Sequence, residues 1–113
     1  QQRRNDYYIM GCLMISFGRI DRKNSIGLFV KGHANSEKEA TAPNGQNMVC
    51  AAVSAISLTA CVACQKHSWG KYEEKKGELR FTADKIPATT ALVEGALDGL
   101  EMIKKQYPNS FEE

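Results

Sequence analysis

Six side chains carry the chemistry that sets this sequence apart: four cysteines, Cys12, Cys50, Cys61 and Cys64, and two histidines, His33 and His67. A thiol acts as a nucleophile or metal ligand only as the thiolate, so the surroundings of each sulfur decide its use. Cys50 falls where an apolar, helix-like stretch begins. Asn47 is a good N-cap, which places Cys50 in the first turn near position N3. Unpaired N–H groups and the positive end of the helix dipole favour a thiolate there, and the same N–H groups can hold the oxyanion of a tetrahedral intermediate. Ala51 and Ala52 are small enough to leave the sulfur approachable. The plainer alternative is that Cys50 is a small buried residue, a common role for cysteine.

Cys61-Val62-Ala63-Cys64 is a CxxC, which invites a redox or metal reading. In thioredoxin-like motifs the first cysteine opens a helix, whereas this pair lies near the C-terminal end of one, where the dipole opposes a thiolate. A metal site would add His67. On a regular helix Cys61 and His67 are about 9 Å apart along the axis, too far to share one ion. Such a site requires the helix to end by Gln65. Packing is the favoured role for the pair, and no metal or cofactor is expected. His67 suits the C-terminal pole of the helix, while His33 sits beside Gly32 at the end of a strand.

The elements that must position these groups follow from periodicity. Residues 1–9 are expected to be a disordered leader or a remnant of expression, with Met10 a candidate start and one domain over 10–113. Alternation from Cys12 to Arg19 predicts a strand, and Ile26–Lys31 a second one after the turn Asp21–Ser25. Asn35 to Gln46, with Pro43, Asn44 and Gly45, reads as a mobile surface loop. A helix follows over about Met48 to Lys66, with Val49, Val53, Ile56, Ala60 and Ala63 on the stripe facing a sheet. Tyr72–Glu74 and Glu78–Thr82 predict a second hairpin. The last helix runs from Pro87 or Thr89 to Gln106, with Leu92, Val93, Ala96, Leu97, Leu100 and Ile103 on its apolar face and Pro108 as the stop. The order ββαββα places the chain in the α+β class, with helices packed on a four-stranded antiparallel or mixed sheet.

Composition narrows the function classes. The 113 residues are 42% hydrophobic and 25% charged, with a net charge of +2. No Lys/Arg-rich block with interleaved aromatics appears, so direct nucleic-acid binding is not expected. No apolar run is expected to approach the roughly 18 residues of a membrane span. With three cysteines in one apolar stretch and a polar N-terminus, reduced thiols and a cytoplasmic location are the simpler expectation.

Gly32-His33-Ala34, followed after a loop by Gly45-Gln46-Asn47-Met48-Val49-Cys50-Ala51-Ala52-Val53-Ser54-Ala55, resembles the bacterial ribosomal-processing cysteine protease family. Gly99 to Pro108 resembles the end of that family's last helix. The resemblance implies an α+β fold with a four-stranded sheet, a homodimer, and a cysteine endopeptidase. Its implied partner is the N-terminal extension of large-subunit ribosomal protein twenty-seven, which it removes. The family's catalytic histidine falls on His33 and its nucleophile on Cys50. Its serine one helical turn later falls on Ser54, on the same face as Cys50 by the i,i+4 rule. Asn47 stands where the family usually has aspartate, and the separation of His33 from Cys50 (50 − 33 = 17) is longer than the family's.

The mechanism implied is acyl transfer. Cys50 attacks the scissile carbonyl and first-turn N–H groups with Gln46 hold the oxyanion. His33 protonates the leaving amine, and the loop carrying Asn35, Pro43 and Gly45 orders over the bound peptide. Two other readings stay open: a non-catalytic binding protein recognising the same ribosomal segment, favoured by Asn47, and a thiol redox or metal protein using Cys61 and Cys64.

Overall fold

Alternation along the inner strands builds the platform on which everything else rests. The structure is a computed structural model that describes residues 15–32, 46–68, 70–75 and 78–112. Its strands are β1 (Ser16–Asp21), β2 (Ser25–Lys31), β3 (Gly70–Lys75) and β4 (Glu78–Asp84), and its helices α1 (Gln46–His67) and α2 (Pro87–Gln106). The sheet order is β1-β2-β4-β3, with every neighbouring pair antiparallel. The α+β order ββαββα is therefore as the sequence predicts, and the sheet is purely antiparallel.

Register explains the core. Ile26 pairs with Ala83, Leu28 with Phe81 and Val30 with Leu79, so six buried side chains line up on one face of the two central strands. With a period of two, that face must be covered, and α1 and α2 cover it. Arg19, on the same face of β1, reaches Glu94 of α2 at 2.7 Å. On the opposite face the Phe29 ring lies over Gly18, where a Cβ would come within 2.8 Å of the ring. The cationic ends of Arg80 and Lys31 stand 5.6 and 5.9 Å from the same ring.

α1 differs from expectation in two ways. It begins at Gln46, so Asn47 is helical backbone and not the cap. Its buried stripe is rotated: Val49, Val53 and Ala60 face the core as expected, joined by Cys50, Ser57, Cys61 and Cys64. Ile56 and Ala63 lie half-buried beside α2. The rotation has a cause, because α2 packs alongside α1 and takes up one flank of the stripe. A Cβ on Gly99 of α2 would stand 3.4 Å from Ile56. The apolar length of α1 is also a correction. Met48–His67 spans 20 residues and holds an 18-residue window of mean hydropathy 1.9, long and apolar enough by length and composition to cross a membrane. Ser54, Ser57 and Thr59 interrupt the run and obscure that in the sequence. In this fold one face of that helix is core.

The far end of α1 is tied to the start of α2. Ser68 Oγ accepts the Asp84 N–H at 3.2 Å, and the Cys64 thiol lies 3.9 Å from the Thr89 carbonyl. Thr89, fully buried at the third position of α2, caps that helix. Its hydroxyl accepts the Ile86 N–H at 3.1 Å and donates to the Asp84 carbonyl at 2.5 Å. Pro87 occupies the first turn, where its missing N–H is not needed.

After α2 the chain makes a 3-10 turn at Pro108–Ser110 and returns to the sheet. The Ile15 N–H donates to the Ser110 carbonyl at 2.9 Å, and the Glu112 N–H donates to the Ile15 carbonyl at 2.8 Å. This parallel bridge carries Phe111 into the core, edge-on to Phe17 with centroids 5.9 Å apart at 87°. Phe111→Ala is expected to destabilise the fold by about 3 kcal/mol, the cost of deleting a buried ring. Thermal unfolding checks it, and an unchanged midpoint would show that the C-terminal segment does not hold the domain.

Candidate active site

The antiparallel ladder and the tie at Ser68 fix which end of the molecule holds each group. The C-terminal end of α1 meets the end of β4 at Asp84. A 22-residue helix is about 33 Å long, so its N-terminal end lies at the opposite end of the sheet. There Lys31 of β2 pairs with Glu78 of β4, and the chain leaves β2 through Gly32, whose φ of 92° suits glycine. The fold thus brings the exit of β2 and the Cys50 end of α1 to the same end of the sheet.

Cys50 is the fifth residue of α1 and has no exposed surface. Two expectations are corrected here. Its own N–H falls within the helical ladder, and the N–H groups of the first turn, at residues 46–48, lie ahead of it. Its sulfur is not approachable from solvent in this conformation. Ala51 is exposed but lies about 100° further round the helix, so its smallness opens the outer face and not the Cys50 face. Ser54 is half-buried one turn after Cys50, as the i,i+4 spacing predicts. Gln46 and Asn47 are placed as backbone in the first turn. His33, Asn35, Pro43 and Gly45 lie outside the described residues, as does Cys12.

Two buried hydroxyls were not singled out from sequence. Ser57 donates to the Val53 carbonyl at 2.8 Å, and Thr89 caps α2. Their signal was positional: each sits on the buried stripe of its helix, where a polar side chain must bond locally.

The CxxC behaves as a pair of core thiols. Cys61 and Cys64 are buried and unbridged. α1 continues regularly through His67, so the early helix end required for a Cys61–Cys64–His67 metal site does not occur. Burial pushes both thiols up from their ordinary value, and the neighbouring Cys64 adds to the rise at Cys61.

The family model described as cysteine protease Prp matches residues 14–112. Two crystal structures of the essential ribosomal processing protease Prp from S. aureus are similar. The one with a substrate peptide has a TM-score of 0.64 at 16% identity, over 88% of this chain and 96% of that one. The one with a covalently linked product peptide has a TM-score of 0.63 at 15% identity, with the same coverage of each chain. SMU.848 from Streptococcus mutans is similar with a TM-score of 0.59 at 25% identity, over 88% of this chain and 90% of that one. No curated protein matches.

The raised thiols give a pH dependence with a definite sign. A thiol whose folded pKa is raised holds its proton longer than in the unfolded chain. Its contribution is complete below the ordinary thiol value and is lost as pH rises past it. Alkylation of Cys61 and Cys64 by iodoacetamide, read by peptide mass spectrometry, is therefore expected only at higher pH in the folded protein than in urea. Equal labelling profiles in the two states would show that the pair is not buried in the core.

Proposed function

This chain belongs to the cysteine protease Prp family, and on that premise we propose that Cys50 and His33 form the catalytic pair of an endopeptidase. The observation that carries the reading is topological. The strand leading to His33 ends at the same end of the sheet as the Cys50 end of α1, and the family match spans both segments. In the proposed chemistry His33 takes the thiol proton and Cys50 attacks the scissile carbonyl. The helix-start N–H groups, with Gln46, hold the oxyanion. His33 then protonates the leaving amine, and water releases the acyl-enzyme. Asn47 orients His33 in the manner of a Cys-His-Asn arrangement.

Cys50 is enclosed, so its sulfur meets a carbonyl only when the N-terminal end of α1 opens as peptide binds. The segment with Asn35, Pro43 and Gly45 covers the peptide, and Ser54 supports the Cys50 side of the helix. The substrate is the N-terminal segment of large-subunit ribosomal protein twenty-seven. Similarity to the S. aureus protease that takes a substrate peptide and a covalently linked product supports this choice. The enzyme works as a cytoplasmic homodimer, without nucleic-acid or membrane contact.

Cys50→Ala is expected to abolish cleavage of a peptide carrying that extension while leaving the circular-dichroism spectrum intact. His33→Ala is expected to cost several orders of magnitude in rate, because base and leaving-group acid are lost together. Turnover by Cys50→Ala equal to the parent would end the peptidase reading and leave a binding protein in its place.

A further inference from the structure

The chain's last described segment lies where the proposed chemistry is. α2 starts beside Asp84, and its 20 residues run about 30 Å to the opposite end of the sheet. Pro108–Glu112 therefore arrives at the end where β2 exits and where the Cys50 end of α1 lies. There this strap takes both backbone groups of Ile15. The Ser110 carbonyl accepts the Ile15 N–H at 2.9 Å, and the Ile15 carbonyl accepts the Glu112 N–H at 2.8 Å. Ile15, Ser110 and Phe111 are all buried. Ile15 directly precedes Ser16, whose partner across the ladder is Lys31, and Phe17 beside Phe111 pairs with Val30. Ser16–Lys31 is the last rung of that ladder, and beyond it Gly32 takes a φ of 92°. Strand ends fray unless something holds them, and β1 is an edge strand whose one strand neighbour in the sheet is β2. Among the described residues, the strap alone continues the pairing of β1 on its outer side.

We propose that the strap Pro108–Glu112 is a positioning element of the active site. By holding Ile15 it fixes the Ser16–Lys31 rung, from which the chain leads through Gly32 to His33. This rests on the Cys50–His33 reading above and names what sets the position of one partner. Catalytic groups must be held to within about 0.5 Å of the productive geometry. Only Gly32 stands between Lys31 and His33, so drift of the rung becomes drift of the imidazole. Two contacts of different chemistry make the tie. The Phe111 ring packs edge-on against Phe17, an apolar contact that supplies stability but slides easily. The Glu112 N–H bond to Ile15 is directional and fixes the register of strap against strand. The Glu112 side chain is exposed, so this second contact is made by the main chain. Stability alone needs only the first contact. Aim needs the second.

Glu112→Pro tests this by removing that N–H while leaving Phe111 in the core. Phe111 is already extended, at φ −123° and ψ 149°, the conformation a following proline requires. Cleavage of the extension peptide by Glu112→Pro is expected to fall about ten- to hundredfold in kcat, with KM unchanged. Labelling of Cys50 by iodoacetamide is expected to move to higher pH, because a displaced imidazole favours the thiolate less. Hydrogen exchange, read by mass spectrometry, is expected to quicken over residues 29–32 and not within α2. Glu112→Ala keeps the N–H and is expected to match the parent in all three measurements. Should Glu112→Pro fold poorly, Phe111→Leu, which keeps an apolar side chain in the core, is expected to show the same loss in kcat at unchanged KM. Unchanged kcat and an unchanged Cys50 profile in the folded variant overturn the proposal and leave the strap a stabilising element. An equal loss in Glu112→Ala overturns it too, since the effect then belongs to the side chain. A parent that cleaves nothing overturns the protease reading and the strap with it, whereas an active parent with an unimpaired Glu112→Pro variant overturns the strap alone.

Discussion

Burial of α1 against the sheet is the contact on which the rest of the structure depends. The stripe Val49, Cys50, Val53, Ala60, Cys61 and Cys64 belongs to the same core as Leu28, Val30, Leu79 and Phe81. Each fully buried aliphatic side chain contributes about 1.5–3 kcal/mol, far more than the surface ion pairs beside it. Arg19–Glu94 and Lys85–Asp21 join side chains that are all a third or more exposed, so they orient the helix layer more than they hold it. The helix is fixed in rotation by apolar contact, and that rotation decides where every group on it points.

Cys50 belongs to that stripe, so the candidate nucleophile also holds the helix down. A reactive thiol needs a polarising neighbour and a path for substrate, and full burial works against the second. A position near a helix N-terminus reconciles packing with the favourable end of the helix dipole. Cys61 and Cys64 show the other outcome. They share the stripe but lie towards the far pole of the helix, where burial raises both thiols and α2 closes over them. Position along one helix separates a candidate nucleophile from two packing residues.

Much of this was legible in the sequence because periodicity is a local signal. Apolar runs and turn residues marked two hairpins, with Ile26–Lys31 and Glu78–Thr82 among their strands, and Pro87 and Pro108 bounded α2; the pairing of β2 with β4 came from the structure alone. What was not legible depends on neighbours distant in sequence. The rotation of α1 depends on α2 lying against Ile56 and Ala63. The helix includes Gln46, ahead of Asn47, because a single cap residue is a poor guide to a helix boundary. The return of Phe111 beside Ile15 is a pairing between opposite ends of the chain, invisible to any window of residues. At the site, the placement of Cys50 and Ser54 on one helix face could be read from spacing, but the enclosure of Cys50 could not. Enclosure is a property of what packs on the helix, and α1 alone looks open wherever alanine is frequent.

The lack of charge along α1 leaves its hold on the fold to apolar contact. A helix packed on one face usually carries lysine and glutamate on the other. α1 has Ala51, Ala55, Leu58 and Val62 there instead, and alanine and leucine keep its helix propensity high. With the sheet beneath and α2 on its flank at Ile56 and Ala63, its rotation is set by packing alone. That rotation turns Cys50, Cys61 and Cys64 inward together, and only their positions along the axis set them apart.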